Sequence, residues 1–237
     1  MRKAGFCFIL GVMLFLPACL SWAGIFRDDF EDGDYEGWVP NPKAEQIAWK
    51  DGEVVITDTD RHTPTQLAFN YEQSLRDFTA SFDCMMTKVL DNSPYIWLFF
   101  RINDEDSIGA FACFLPHELW ISMIKWAVNQ YPGVVKIPFT TELNRWYHAE
   151  VMVKGKTVSM WVDGKLKGKA DWTSWKILPE SGEVVIGGGG AEIHLDNVVL
   201  IGEEVPDAGP SGFNSTAVRA KGKLAVCWAS LKGGQDI

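Results

Sequence analysis

The sequence predicts an all-β fold, an antiparallel sandwich of two sheets. Aromatic and β-branched runs recur at short intervals and are separated by Gly, Pro, Asn and Asp, which is typical of short strands joined by turns. No stretch of more than about ten residues keeps a helical period. The length of 237 residues suits one large β domain better than two small ones.

Individual strands follow from the alternation of apolar and polar residues. Two turn sequences, Lys154-Gly155-Lys156 and Asp163-Gly164, carry the residues that tight hairpin turns with positive φ require, so the hairpins of the second half are the clearest elements. Strands are predicted at 53–57, 78–86, 95–102, 110–115, 120–125, 146–154, 157–162, 183–186 and 193–201.

The second-half hairpin also shows which side chains face the core. Side chains alternate along a strand, so each strand has one apolar face and one mixed face. The predicted core positions are Ala149, Val151, Val153, Val158, Met160 and Val162. The opposite face carries His148, Glu150, Met152, Ser159 and Trp161, and is either solvated surface or the wall of a binding groove.

The first 23 residues have the organisation of a signal peptide. Arg2 and Lys3 precede an apolar stretch, 6–16, that is too short to span a bilayer, and small residues favour cleavage before Gly24. Alternatively, the four residues ending at Cys19 resemble a bacterial lipoprotein box in which Cys19 is lipidated. We therefore expect a protein that is secreted or held at the cell surface.

The mature chain divides into one domain, 24–202, and a linker with a short tail, 203–237, where prolines, glycines and acids give way to basic residues. The formal charge of −9 becomes −11 once the two basic residues of the leader are removed, which argues against a nucleic-acid partner. No later window is long and apolar enough for a transmembrane segment.

Three cysteines remain after cleavage: Cys84, Cys113 and Cys227. An odd number excludes a complete intrachain disulfide framework. Cys84 and Cys113 lie in predicted strands, where they either pair or remain buried free thiols.

Three segments, in order along the chain, carry a resemblance to a known family. They are 26–33 with Gly37-Trp38, then 143–164 with its Trp-Val-Asp-Gly turn, then 182–187 and 193–200 with Leu195-Asp196-Asn197-Val198. Together they resemble the concanavalin A-like lectin and glucanase superfamily, in its laminin-G-like and keto-disaccharide-hydrolase-like bacterial branches. The resemblance covers about 25–201 and implies a jelly-roll sandwich.

In a jelly roll of this kind the first and last strands lie side by side, which implies a candidate metal site. Asp29 or Asp32 would then approach Asp196, and carboxylate and backbone oxygens suit a structural Ca²⁺. The alternative is that the early aspartates form turns and that Asp196 bonds backbone amides at a strand end.

The abundance of tryptophan, eleven in all, is the basis for a candidate ligand site. Tyr95, Trp97, Phe99 and Arg101 alternate onto one face of a strand, and the aliphatic residues between them belong in the core. Such a row would stack sugar rings and hydrogen-bond their hydroxyls. Trp120, Trp126 and Trp161 are candidates to extend it from other strands, although both faces of a central strand can also be core.

Catalytic machinery is hard to find in the sequence. Glycosidases need two acids facing one bond, and the Glu-x-Asp-x-Glu strand common in this superfamily is absent, which leaves Glu118 and Glu150 as isolated candidates. The histidines have neither a Gly-x-Ser-x-Gly partner nor metal-ligand spacing. The four glycines at 187–190 lack a following helix, so they are interpreted as a strand connection.

These observations predict an exported non-catalytic binding module, with carbohydrate as the expected ligand and Ca²⁺ as a structural ion. Two alternatives stay open: a glycoside-processing enzyme of the keto-disaccharide-hydrolase-like kind, and an adhesive surface module. The partner is then a glycan or an extracellular protein. The sequence makes no prediction about oligomeric state.

Overall fold

A computed structural model describes residues 23–34, 38–41, 46–59, 64–69 and 74–206. The predicted signal peptide, Cys19, Cys227 and the C-terminal tail lie outside the described residues. Within them the chain forms fifteen strands: β1 Gly24–Asp28, β2 Trp38–Asn41, β3 Ile47–Lys50, β4 Glu53–Asp58, β5 Thr65–Phe69, β6 Phe78–Val89, β7 Tyr95–Asn103, β8 Ile108–Phe114, β9 Glu118–Lys125, β10 Val135–Pro138, β11 Tyr147–Lys154, β12 Thr157–Val162, β13 Lys165–Asp171, β14 Glu183–Gly189 and β15 Ala191–Gly202.

The strands form two antiparallel sheets, which confirms the predicted sandwich. The eight-stranded sheet has the order β13-β12-β11-β6-β15-β4-β3, with β1 also paired to β15. The seven-stranded sheet has the order β10-β9-β8-β7-β14-β5-β2. The first and last described strands are neighbours, since Ile25 pairs with Ile201 and Asp28 with Val198.

The inner faces of the two sheets meet in one hydrophobic core. The predicted core sets of the β11–β12 hairpin are confirmed, because each of those side chains is at most 2% exposed. The aliphatic side of β7 is also confirmed: Ile96, Leu98 and Phe100 belong to the same core. At the hairpin turn between β12 and β13, Asp163 and Gly164 both have positive φ, as the turn sequence predicted.

Four of the five strands that the sequence reading missed, β2, β3, β10 and β13, lie at or beside sheet edges, and β5 is the second strand from an edge of its sheet. Four of them have only four or five residues, and the seven-residue β13 contains three lysines, so each gives a weak sequence signal. The interpretation of the glycine run as a connection is wrong for three of its four residues, because Gly187 to Gly189 belong to β14.

At its end β1 carries a carboxyl group buried in the core. Asp28 is 5% exposed, and its two oxygens accept hydrogen bonds from the Phe30 amide at 2.9 Å and from Trp38 Nε1 at 2.6 Å. Burial is the largest influence on this group and raises its pKa to about 7.

Cys84 and Cys113 are both free and both buried. Cys84 belongs to the core on the eight-stranded sheet, whereas Cys113 lies on the far side of the seven-stranded sheet, so they cannot pair. Burial raises the pKa of each thiol. No helix among the described residues is long and apolar enough to cross a membrane.

Candidate functional site

The outer face of the seven-stranded sheet carries a second cluster of apolar side chains, separate from the core. Its buried floor is Phe99, Phe111, Cys113, Ile124 and Val185, and half-buried tryptophans pack against it. We call this surface the aromatic face and define its rings as Tyr95, Trp97, Phe99, Phe111, Trp120, Trp126 and Tyr131.

Strand β7 positions the centre of the aromatic face, as the alternation of its residues predicted. Trp97 lies between two rings of its own strand, with its centroid 5.0 Å from those of both Tyr95 and Phe99. Its ring centroid also lies 6.0 Å from that of Phe111 in β8. Trp126, in the 3-10 turn after β9, meets Phe99 edge to face at 5.8 Å between ring centroids. These contacts make a continuous ring surface.

Trp120 extends this surface on β9, two strands away from β7. Its Nε1 donates to Glu118 Oε2 at 2.7 Å, and the Lys136 ammonium lies 4.2 Å from its ring centroid. Tyr131 meets the same ring edge to face at 5.9 Å. Trp120 is therefore held in place by both a carboxylate and a cation.

One register row crosses the aromatic face from strand to strand. It contains Gln66 of β5, Gly187 of β14, Trp97 of β7, Cys113 of β8 and Trp120 of β9. Two polar atoms in this row, Gln66 Oε1 and Trp97 Nε1, are buried and have no hydrogen-bond partner among the described residues.

Arg101 does not end the aromatic row, and that part of the prediction is wrong. Its φ of +53° and a register shift against β14 mark a β-bulge, so Ile102 takes the next outer position. Arg101 is 1% exposed, and its Nη2 donates to the Arg76 carbonyl at 2.8 Å. This guanidinium therefore fixes a loop.

Trp161 and Glu150 lie on the other sheet, so Trp161 does not extend the aromatic face. They are direct partners in the β11–β12 pair, on the outer face of the eight-stranded sheet. Glu118 belongs to the seven-stranded sheet. The two candidate acids therefore lie on opposite sides of the sandwich and cannot act on one bond.

The outer face of the eight-stranded sheet also carries ordered histidines. His148 Nδ1 lies 2.7 Å from Asp83 Oδ1, and Asn197 Nδ2 donates to the other oxygen of Asp83 at 2.8 Å. The hydrogen bond with Asp83 is the largest influence on His148 and raises its pKa. His194 is paired similarly with Glu53 at 2.8 Å. These pairs hold neighbouring strands together.

The three aspartates predicted to bind calcium do not form a carboxylate cluster. Asp29 and Asp32 are exposed in the turn after β1, whereas Asp196 is buried and its Oδ1 accepts from the Asn197 amide at 2.6 Å. Among the described residues no group of three or more His, Cys, Asp or Glu side chains is placed to hold a metal. An ion here would need mainly backbone oxygens, and calcium stays a prediction.

Several residues of the aromatic face were not predicted from the sequence. Gln66 lies in β5, which was not predicted, and Tyr131 follows the 3-10 turn. Phe111 lies in a predicted strand, and alternation from the buried Ala110 and Ala112 would have placed it outward with Cys113. The unpartnered state of Gln66 has no sequence signature.

The fold defines the chain as a concanavalin A-like jelly roll, a sandwich with its aromatic surface on the outer face of one sheet. The sequence profile of the 3-keto-alpha-glucoside-1,2-lyase-like domain matches residues 25–201, which covers most of the chain. The chain therefore belongs to this family.

Solved structures share the fold at low sequence identity. The carbohydrate binding module CBM66 from Bacillus subtilis is 17% identical with a TM-score of 0.50, covering 70% of this chain and 95% of that one. The β-glucanase of Bacillus licheniformis is 12% identical with a TM-score of 0.55, covering 76% and 98%. The endo-β-1,3-glucanase of Pyrococcus furiosus is 10% identical with a TM-score of 0.57, covering 76% and 94%. No curated protein sequence matches the chain.

Proposed function

We propose that the protein is an exported module that binds carbohydrate on its aromatic face. The observation that supports this proposal is the group of half-buried rings, Tyr95, Trp97 and Trp120, on a buried floor that includes Phe99 and Phe111. Indole and phenol rings stack against the C–H faces of sugars and keep polar groups for their hydroxyls. CBM66 and the two glucanases have the same fold and carry names that refer to carbohydrate.

The positions of the candidate acids favour binding without hydrolysis. Hydrolysis of a glycosidic bond needs two carboxyl groups about 5–10 Å apart, one on each side of the bond. Glu118 and Glu150, the acids identified from the sequence, lie on different sheets.

A glycan array tests the proposal, with Trp97→Ala as the site variant and Trp161→Ala as its matched control. Removing the Trp97 ring should weaken binding at least about tenfold, because large central rings dominate such contacts. Trp161 is on the other sheet, so its variant should bind like the wild type. A wild type that binds no glycan would point instead to an adhesive module that binds protein. Loss of glycan binding in Trp161→Ala alone would place the binding site on the eight-stranded sheet.

Cleavage of a 3-keto-α-glucoside is a second candidate function, favoured by the family match. A ketone at C3 makes the proton on C2 acidic, and Glu118 is a carboxylate on the aromatic face. In an elimination, Glu118 would take the C2 proton as the C1–O bond breaks. The electron pair leaves with the glycosidic oxygen, which then gains a proton, and the sugar keeps a C1–C2 double bond.

A 3-keto-α-glucoside with a nitrophenol leaving group tests this candidate by absorbance. Glu118→Gln should slow release at least about a hundredfold, the usual contribution of a general base. Glu150→Gln is the matched control on the opposite sheet and should have full activity. If the wild type releases no nitrophenol, or if both variants are equally active, this candidate is removed.

A further inference from the structure

Gln66 and Trp97 present unpaired polar atoms of opposite kind at one point of the aromatic face. Trp97 Nε1 can donate but not accept, and Gln66 Oε1 can accept but not donate. Both residues are in register with Gly187, one on each side of it. Buried polar atoms without partners are rare in native proteins and need an explanation.

Gly187 leaves the middle of this arrangement without a side chain. A Cβ added there would lie 2.3 Å from the Thr65 carbonyl oxygen and 2.6 Å from Gln66 Cα, so β14 and β5 approach too closely for any other residue. Gln66 and Trp97 are two strands apart, or about 10 Å between their backbones. A glycine floor thus separates a donor on one side from an acceptor on the other.

The surroundings of this pair are uncharged. The flanking outer-face positions on the same three strands are Ala68, Val185, Phe99, Gly189 and Tyr95. A carboxylate or sulfate would meet the Gln66 oxygen, which repels it, without a neighbouring cation among these residues. A hydroxyl group, by contrast, donates and accepts at once.

Resting on the proposed function, we propose that Gln66 Oε1 and Trp97 Nε1 are the polar contacts for the hydroxyls of a neutral sugar ring seated over Gly187. Both atoms are closed off in the free protein, so the Trp97 indole must turn to admit the ring. The free protein then bears unpaired buried atoms that the complex satisfies. Deleting either atom should therefore strengthen the free fold and weaken binding.

The test uses Trp97→Phe, which keeps a ring without Nε1, and Gln66→Met, which keeps the side-chain length without the amide. The ligand probes are cellotetraose, laminaritetraose and maltotetraose, with trigalacturonate as the charged probe. Titration should show affinity for the best neutral probe about fivefold to tenfold lower in each variant. Thermal unfolding without ligand should give a Tm equal to the wild type or higher by about 2–4 °C.

Trp120→Phe is the matched control, because Trp120 Nε1 already donates to Glu118. That variant leaves the Glu118 carboxylate without this donor, so its Tm should fall. In the wild type, neutral sugar should also shift the tryptophan fluorescence, and Trp97→Phe should remove that shift.

Three results would overturn the inference. A lower Tm for both Trp97→Phe and Gln66→Met would show that their atoms have partners in the free protein. Unchanged affinity in both variants, with binding still lost in Trp97→Ala, would leave the binding function and refute the polar contacts. Preference for trigalacturonate would do the same. Failure of the wild type to bind any sugar would refute both proposals.

Discussion

The environment of Asp28 is unusual for an aspartate. Its carboxyl group lies in the core, and burial outweighs the two hydrogen bonds it accepts, so its pKa rises to about 7. The folded state therefore holds a proton that the unfolded chain releases near pH 4. Stability from this group is complete below about pH 4 and is lost as pH rises through about 7.

We predict that the wild type is less stable at pH 8.5 than at pH 5. The full pKa difference corresponds to about 4 kcal/mol, of which about 3 kcal/mol falls between pH 5 and pH 8.5. Urea unfolding at fixed ionic strength measures it. The raised pKa of His148 acts in the same direction, so Asp28→Asn isolates the contribution of Asp28. That variant should lose most of the pH dependence, and an unchanged difference between the two pH values would contradict the assignment.

Residue types alone could not separate Asp28 from Asp29 and Asp32, since all three occur in one acidic turn sequence. The difference comes from Trp38, whose Nε1 reaches Asp28 from β2, a strand that was not predicted. In the same way, the unpaired state of Gln66 depends on which atoms surround it across strands. Such properties belong to tertiary packing and have no local signature.

Strand β14 has a glycine whose replacement should disturb the whole seven-stranded sheet. We predict that Gly187→Ala costs at least about 2 kcal/mol, because the added Cβ meets backbone atoms of β5 that cannot move aside. The measurement is again urea unfolding.

Gly168→Ala is the matched control for this substitution. Its added Cβ would also make a short contact, 2.4 Å, but with the Ile137 Cδ1 at the end of a flexible side chain. We expect a cost below about 1 kcal/mol there. If the two variants lost equal amounts of unfolding free energy, the close approach of β14 and β5 would not be the reason that residue 187 is a glycine.

The alternation of side chains along β7 was predictable from the sequence, but the residue at which this alternation ends was not. Tyr95, Trp97 and Phe99 face outward because side chains in a regular strand alternate. The bulge at Arg101 breaks that alternation without a glycine or proline to mark it. At the bulge the buried guanidinium donates to the carbonyls of Arg76 and Pro179, which are distant in sequence, so no local pattern marks it.

At the scale of the whole molecule, the two sheets have different outer surfaces. The seven-stranded sheet carries rings, and the eight-stranded sheet carries ionic and histidine pairs such as His148 with Asp83 and Lys88 with Glu192. The sandwich and the outward row of rings on β7 were predicted from the sequence. The prediction also placed Trp161 with the rings because the assignment of strands to sheets depends on pairings that periodicity does not record.

A calcium ion near Asp196 would tie the first described strand to the last. We predict that EDTA lowers the Tm of the whole domain and that added Ca²⁺ restores it, since an ion bound to the folded state alone stabilises that state. Calorimetry of the wild type and of Asp196→Asn is the measurement. A Tm that ignores EDTA and Ca²⁺ in the wild type would remove the site.

The position of β15 has a consequence for how the chain matures. This strand lies between β6 on one side and β4 and β1 on the other, although it is the last of the described strands. A nascent chain therefore cannot complete its eight-stranded sheet until residue 202 has left the ribosome, and long-range pairing of this kind is slow. Until its last described strand has been synthesised, the eight-stranded sheet stays incomplete, and the chain is then unfolded enough to be threaded through a narrow pore.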